Sequence, residues 1–137
     1  MKQNLESKLQ KDPYKSEGER KIAQFLKQAG MSFIYEKETL IKDADKIKIW
    51  YPDFTLPQYH IIIEYYGINQ NPEYSDSVRY KQKAYEQNQL DVIPIYPEHL
   101  QNNYQDRIIR NMNEILYRRI YHFQNTFQKT NKTYKKR

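Results

Sequence analysis

Residues 50–67 read Trp50-Tyr51-Pro52-Asp53-Phe54-Thr55-Leu56-Pro57-Gln58-Tyr59-His60-Ile61-Ile62-Ile63-Glu64-Tyr65-Tyr66-Gly67. Pro57-Gln58 reads as a tight connection between a strand ending at Leu56 and another running from Tyr59 to Tyr66, stopped by Gly67. The triplet Ile61-Ile62-Ile63 has no polar alternation, which predicts a strand buried on both faces in the middle of a helix-covered sheet. A turn at Pro57-Gln58 sets Asp53 opposite Ile62, and Glu64 falls two residues along on the same face. Read singly, Glu64 is a strand end near solvent and Asp53 a turn residue after proline. Together, two carboxylates meeting on a sheet face are costly unless a cation lies between them. All-oxygen donors of this kind suit Mg²⁺ or Mn²⁺. Such an ion orients and acidifies a water and neutralises charge building on a phosphate.

Upstream, Ser16-Glu17-Gly18-Glu19 reads as a capping box, followed by Ile22, Phe25, Leu26 and Ala29 at helical spacing and by Gly30 as a stop. Glu19 lies three residues before Ile22, on the buried stripe, from which it can reach the sheet; its capping role explains it equally well. Ser32–Ile41 reads as one strand, residues 42–46 as a turn, and Ile47–Leu56 as a second strand. Residues 1–15 are a polar arm in which only Leu5 and Leu9 hint at a helical turn.

Downstream, residues 69–74 are a loop around Pro72, and Ser75–Asn88 is a helix. Val92–Tyr96 is a strand that Pro94 confines to an edge. From Tyr104 to about Phe127 runs a long amphipathic helix, with Ile109, Met112, Leu116, Phe123 and Phe127 on one stripe. Residues 129–137 form a basic tail. The order α-β-β-β-α-β-α predicts one mixed α/β domain over residues 16–128.

The 137 residues suffice for a single core. Their 14 tyrosines argue against a disordered chain. No apolar run approaches the roughly 18 residues of a membrane span, and Met1–Glu6 lacks the apolar segment of a secretion signal. With no cysteine there is neither a thiolate site nor a disulfide, which fits a reducing cytoplasmic setting. The only glycines are Gly18, Gly30 and Gly67, so there is no phosphate-cradling loop. His60, His99 and His122 have no metal-site spacing, although His60 shares Glu64's strand parity. The net charge of +6 suits a polyanion. Arg107, Arg110, Arg118 and Arg119 on the last helix, with Lys132, Lys135, Lys136 and Arg137 behind them, could follow a phosphate backbone or merely keep that face solvated. Tyr65, Tyr74, Tyr80 and Tyr117 are candidates for stacking on bases, though most tyrosines serve packing.

The series Ser16…Glu19, Tyr35-Glu36, Pro52-Asp53-Phe54, Ile63-Glu64-Tyr65-Tyr66-Gly67, Lys81…Tyr85 and Val92-Ile93-Pro94-Ile95 resembles the PD-(D/E)XK nuclease superfamily. The likeness is to its small restriction-like and very-short-patch-repair-like branch, over residues 16–100. The resemblance implies a restriction-endonuclease-like α/β/α sandwich with a central mixed four-stranded sheet. It also implies metal ligation by Asp53, Glu64 and the Tyr65 carbonyl, with Glu19 assisting. Where the family pattern has a lysine two residues after the second acid, this chain has Tyr66. Lys81 is the best substitute, with Tyr85 one turn later on the same face; Lys83 is about 200° around the helix from Lys81. Lys83 and Tyr85 join the arginines as candidate nucleic-acid contacts. The expected activity is Mg²⁺- or Mn²⁺-dependent endonucleolytic cleavage of DNA, by a homodimer or a subunit of a larger assembly. The alternatives are RNA cleavage and a catalytically silent nucleic-acid-binding module.

Overall fold

The computed structural model describes residues 12–67 and 72–135. The expected helical turn at Leu5 and Leu9 and the last two residues of the basic tail lie outside them. Helix α1, Glu17–Gln28, begins as its sequence demands: Ser16 is the N-cap, and its Oγ accepts the Glu19 N–H at 3.1 Å. The return half of the box is displaced by one residue, since the Glu19 carboxylate accepts from the Lys15 N–H at 3.0 Å. At the other end Gly30 takes φ +69. The Met31 N–H then reaches the Leu26 carbonyl and the Gly30 N–H that of Lys27, a Schellman closure.

The expected first two strands are each divided. Ser32–Ile41 becomes β1 (Ile34–Tyr35) and the start of β2 (Thr39–Asp43), broken by left-handed Glu36 at φ +51. Ile47–Leu56 becomes β3 (Lys46–Trp50) and β4 (Phe54–Leu56), parted at Pro52, which has no N–H to offer a ladder. β2 and β3 pair only with each other, as a ribbon, and the main sheet has the order β1-β4-β5-β6, with β5 Ile61–Tyr65 and β6 Asp91–Ile95. It is a mixed four-stranded sheet: β1, β4 and β5 are antiparallel neighbours, while β6 runs parallel to β5. The isoleucine triplet is central and Pro94 is on an edge, both as expected.

Phe54, Leu56, Ile61, Ile63, Ile93 and Ile95 point to one sheet face and are sealed by Ile22, Ala23 and Leu26 of α1 and by Ile108 and Met112 of the last helix. On the opposite face Ile62 packs against Ala84 and Tyr85 of α2 (Pro72–Gln87) and against Ile41 of the ribbon. Pro72 therefore opens α2 rather than lying in a loop, a position where its missing N–H is not needed. The Asn88 side chain fastens this layer, accepting the Lys42 N–H at 2.8 Å and donating to the Lys42 carbonyl at 2.9 Å. A short α3, Pro97–Leu100, was not expected.

The last helix, α4, runs Tyr104–Lys135, so residues 129–135 continue it instead of forming a tail. No glycine or proline interrupts them, and lysines suit a helix C-terminus. Its core-facing stripe is Tyr104, Ile108, Met112 and Ile115. Ile109, Phe123 and Phe127 are 39%, 69% and 57% exposed, which corrects the stripe expected for them. Among the described residues no helix is long and apolar enough to cross a membrane.

Arg119 of α4 ties the amino ends of the parallel strands together. Its Nε and Nη2 donate to Asp91 Oδ2 at 2.9 and 2.7 Å, and its guanidinium also holds the carbonyls of Tyr59 and His60. Arg118 pairs with the same Asp91. Arg119→Ala strands two carbonyls and leaves the partly buried Asp91 carboxylate to Arg118 alone. We expect it to lower stability by about 2–3 kcal/mol in urea denaturation, whereas a phosphate-contacting arginine would leave stability unchanged.

Candidate active site

The connection from β4 to β5 is four residues long, 57–60, because Leu56 pairs with Ile61. The Tyr59 N–H returns to the Leu56 carbonyl at 3.2 Å and His60 closes the turn at φ +51. His60 thus belongs to the turn and not to Glu64's strand face. The longer connection shifts the register by two residues. Phe54 faces Ile63, and one step further brings Asp53 opposite Glu64 itself rather than opposite Ile62. The carboxylates meet head on, closer than the expected diagonal.

Glu64 is buried, at 4% exposure, and Asp53 is half-buried. Desolvation and then the Glu64 charge push the Asp53 carboxyl up to about 8, against a smaller downward pull from the Tyr65 N–H. That N–H donates to Asp53 Oδ2 at 2.7 Å. Burial also raises Glu64, opposed by the Tyr85 hydroxyl, by the positive charge of Lys81 and by Asp53. The Tyr85 hydroxyl donates to Glu64 Oε1 at 2.8 Å in a buried contact. The pair is an acid couple poised to share one proton, or to give it up to a cation.

Glu19 reaches this couple from α1 and stands beside Asp53. Its own carboxylate is steadied by the Tyr35 hydroxyl at 3.0 Å and by Ser16 Oγ at 3.2 Å. Tyr35 was visible in sequence only as a neighbour of Glu36; its hydroxyl is raised by burial and by the Glu19 bond. Gly18 matters for a reason the capping pattern conceals: a Cβ there would overlap the Tyr65 ring. Gly18→Ala forces the far end of that ring aside, next to the strand segment that holds Asp53. The expected loss is about 1–2 kcal/mol of stability, read by thermal denaturation, with a parallel fall in any metal affinity of the site.

Lys81 is half-buried on α2 and its charge acts on Glu64. Lys83 is exposed. Tyr85, at 2% exposure, has no free surface for nucleic acid and serves the carboxylates instead. The arginines scatter: Arg118 and Arg119 sit at the amino end of β5 and β6, opposite to the acids, and are engaged with Asp91. Arg107 Nε approaches the Pro94 carbonyl at 3.5 Å, level with Glu64 in the β5–β6 register. Arg110 is exposed on α4. Tyr66, where the resembled pattern has lysine, is 4% exposed, packs at a tilt on Tyr96 with centroids 5.5 Å apart, and has a buried hydroxyl with no hydrogen-bond partner among the described residues.

Among the described residues no three acidic or histidine side chains form a ready ligand cage. Two facing carboxylates and a neighbouring backbone carbonyl nevertheless make a hard, all-oxygen donor set. That set fits Mg²⁺ or Mn²⁺, since Mg²⁺ commonly keeps several waters and takes only one or two carboxylates. The couple's raised affinity for a proton is the mark of negative charge in want of a counter-charge. Compared with family models, curated proteins and solved structures, the chain finds no match in any of the three.

Proposed function

We propose that the protein is a divalent-metal-dependent nuclease that hydrolyses phosphodiester bonds in DNA. The observation that carries this reading is the Asp53–Glu64 couple, facing across the β4–β5 hairpin, with the charge of Lys81 on the covering helix felt at Glu64. Asp53 and Glu64 would hold Mg²⁺ or Mn²⁺, with the Tyr65 carbonyl as a further donor and Glu19 supporting Asp53. A cation held there supplies charge neutralisation at a scissile phosphate and acidifies an attacking water. The chain's own residues do the rest. Tyr85 fixes the Glu64 carboxylate by its hydroxyl, and the Tyr65 N–H fixes Asp53, so neither acid has to reorganise. Lys81 places a positive charge beside the carboxylates, where an attacking water and the developing phosphorane charge need it.

The second reading is a silent nucleic-acid-binding module, favoured by one observation: the pattern's lysine position holds a buried tyrosine. Supercoiled plasmid, branched DNA and RNA incubated with Mg²⁺, Mn²⁺ or EDTA decide between them. Nicked or shortened DNA that requires the ion supports the nuclease. Cleavage of RNA alone moves the substrate. No cleavage with any ion, joined to no calorimetric metal binding, leaves the silent module.

A further inference from the structure

β5 and β6 are parallel neighbours, and beyond their carboxyl ends, between Gly67 and Pro97, lies a cavity of about 500 Å³. A crevice outside the carboxyl ends of parallel strands is where open α/β sheets take their ligands, and the volume falls within the roughly 300–1,000 Å³ of small-molecule sites. Gly67 in its wall lies three residues beyond Glu64 along the chain, and the charges of Asp53 and Glu64 are felt at the Tyr74 hydroxyl, which burial raises first. Tyr74 is one wall of the cavity and Tyr96 another. Tyr96 is held on three sides, by the Tyr66 ring, by Gln82 Nε2 donating to its hydroxyl at 3.0 Å, and by its own N–H donating to His99 Nδ1 at 2.9 Å. Such a fixed ring is a stacking platform needing no reorganisation.

The polar groups around the two rings have a particular character. Gln82 carries both a donor and an acceptor, Ser75 a hydroxyl, and Arg79 stands at the wall paired to Asp76 in an exposed contact at 3.1 Å. An exposed pair of that kind is weak and readily exchanged for a phosphate. Aromatic faces, an amide edge and a guanidinium together match a planar heterocycle with hydrogen-bonding edges and a phosphate attached.

We propose that this cavity binds one unstacked nucleobase of the substrate, with Tyr96 as the stacking platform and Gln82 reading the base edge. The inference rests on the nuclease reading and narrows its substrate. A base inside a duplex cannot enter a pocket at sheet level, so the nucleic acid must present an unpaired or extruded nucleotide next to the bond to be cut.

Titration of the full chain in EDTA with AMP, GMP, CMP and UMP, followed by ligand-observed NMR, tests the pocket without any catalysis; ribose 5-phosphate is the control. At least one nucleotide should bind about tenfold or more tighter than ribose 5-phosphate, the scale of a single aromatic–base stack. Tyr96→Ala should remove that preference. Because Tyr96 also supports its neighbours, Ser75→Trp, at an exposed wall position, should abolish nucleotide binding by filling the cavity while the melting temperature holds. Equal binding of ribose 5-phosphate and nucleotides, or unchanged nucleotide binding in Ser75→Trp, overturns the pocket. Plasmid cleavage without nucleotide binding would overturn it and leave the nuclease standing. Nucleotide binding in a protein that cuts nothing would keep the pocket and remove the nuclease.

Discussion

Asp53→Asn and Glu64→Gln are each expected to abolish phosphodiester cleavage while leaving the metal-free protein as stable as the parent or more so. Loss of activity follows because each acid would supply one of only two carboxylate donors. The stability result is the more discriminating half, since an ordinary buried polar residue loses stability when altered. Here desolvation and then the nearby Glu64 charge push the Asp53 carboxyl up to about 8, so the ionised pair is disfavoured in the folded state. The amides preserve the acceptors for the Tyr65 N–H and the Tyr85 hydroxyl, so those bonds survive. The sign with pH follows from linkage. Between about pH 4 and pH 8 the folded protein keeps a proton that the unfolded chain has already released. The metal-free parent therefore loses stability as pH rises across that window, by an amount on the order of a few kcal/mol, and Asp53→Asn flattens the slope. Metal uptake at pH 7 should release protons, and affinity should tighten as pH approaches 8. Urea denaturation at several pH values and calorimetry in two buffers of different ionisation enthalpy read these effects. A mutant that still cuts DNA at the parent rate, or that loses stability at pH 8, would contradict the assignment.

Lys81→Ala should lower turnover by about 10²–10³ while nucleic-acid binding and metal affinity stay near those of the parent. Tyr66 is enclosed against Tyr96 and offers no cation, so the positive charge must come from the covering helix. The charge of Lys81 is felt at Glu64, whereas Lys83 is exposed on the same helix. Lys83→Ala is accordingly expected to be close to neutral in single-turnover assays. Equal losses in the two variants would mean that both lysines act only through general attraction for DNA, which a shallower salt dependence of binding would reveal.

Much of this site could be read from strand parity alone. A continuous isoleucine run marks a central strand, and its parity places Glu64 and Asp53 on one face without knowledge of any contact. What parity could not supply was the register. The turn closes through a non-glycine residue, His60, in a left-handed conformation, and no Asn-Gly signal announces its length. The two β-rich runs are divided between sheet and ribbon at Glu36 and Pro52, and periodicity hides this because Leu40, Ile47 and Ile49 have the look of core residues yet are 70%, 74% and 53% exposed. Helix periodicity found Lys81 and Tyr85 on one face but could not say that Tyr85 is enclosed. That depends on Trp50 of the ribbon, whose ring meets Tyr85 edge-on at 5.4 Å. The arginines of α4 were legible as charge and illegible as structure, since their partner Asp91 lies 27 and 28 residues away in sequence.

The length of α4 also shapes how the molecule breathes. Among the described residues its core contacts end near Ile115 and the Arg119 tie, and the helix continues for sixteen residues to Lys135, about 24 Å at 1.5 Å per residue. Helices of that length are marginal in water without packing. Amide hydrogen exchange should therefore grade along a single helix: slow at Ile108, where opening requires global unfolding, and progressively faster toward Lys135, where each turn can unwind alone. One continuous element thus joins well-protected and weakly protected amides, with Arg119 at the boundary between them.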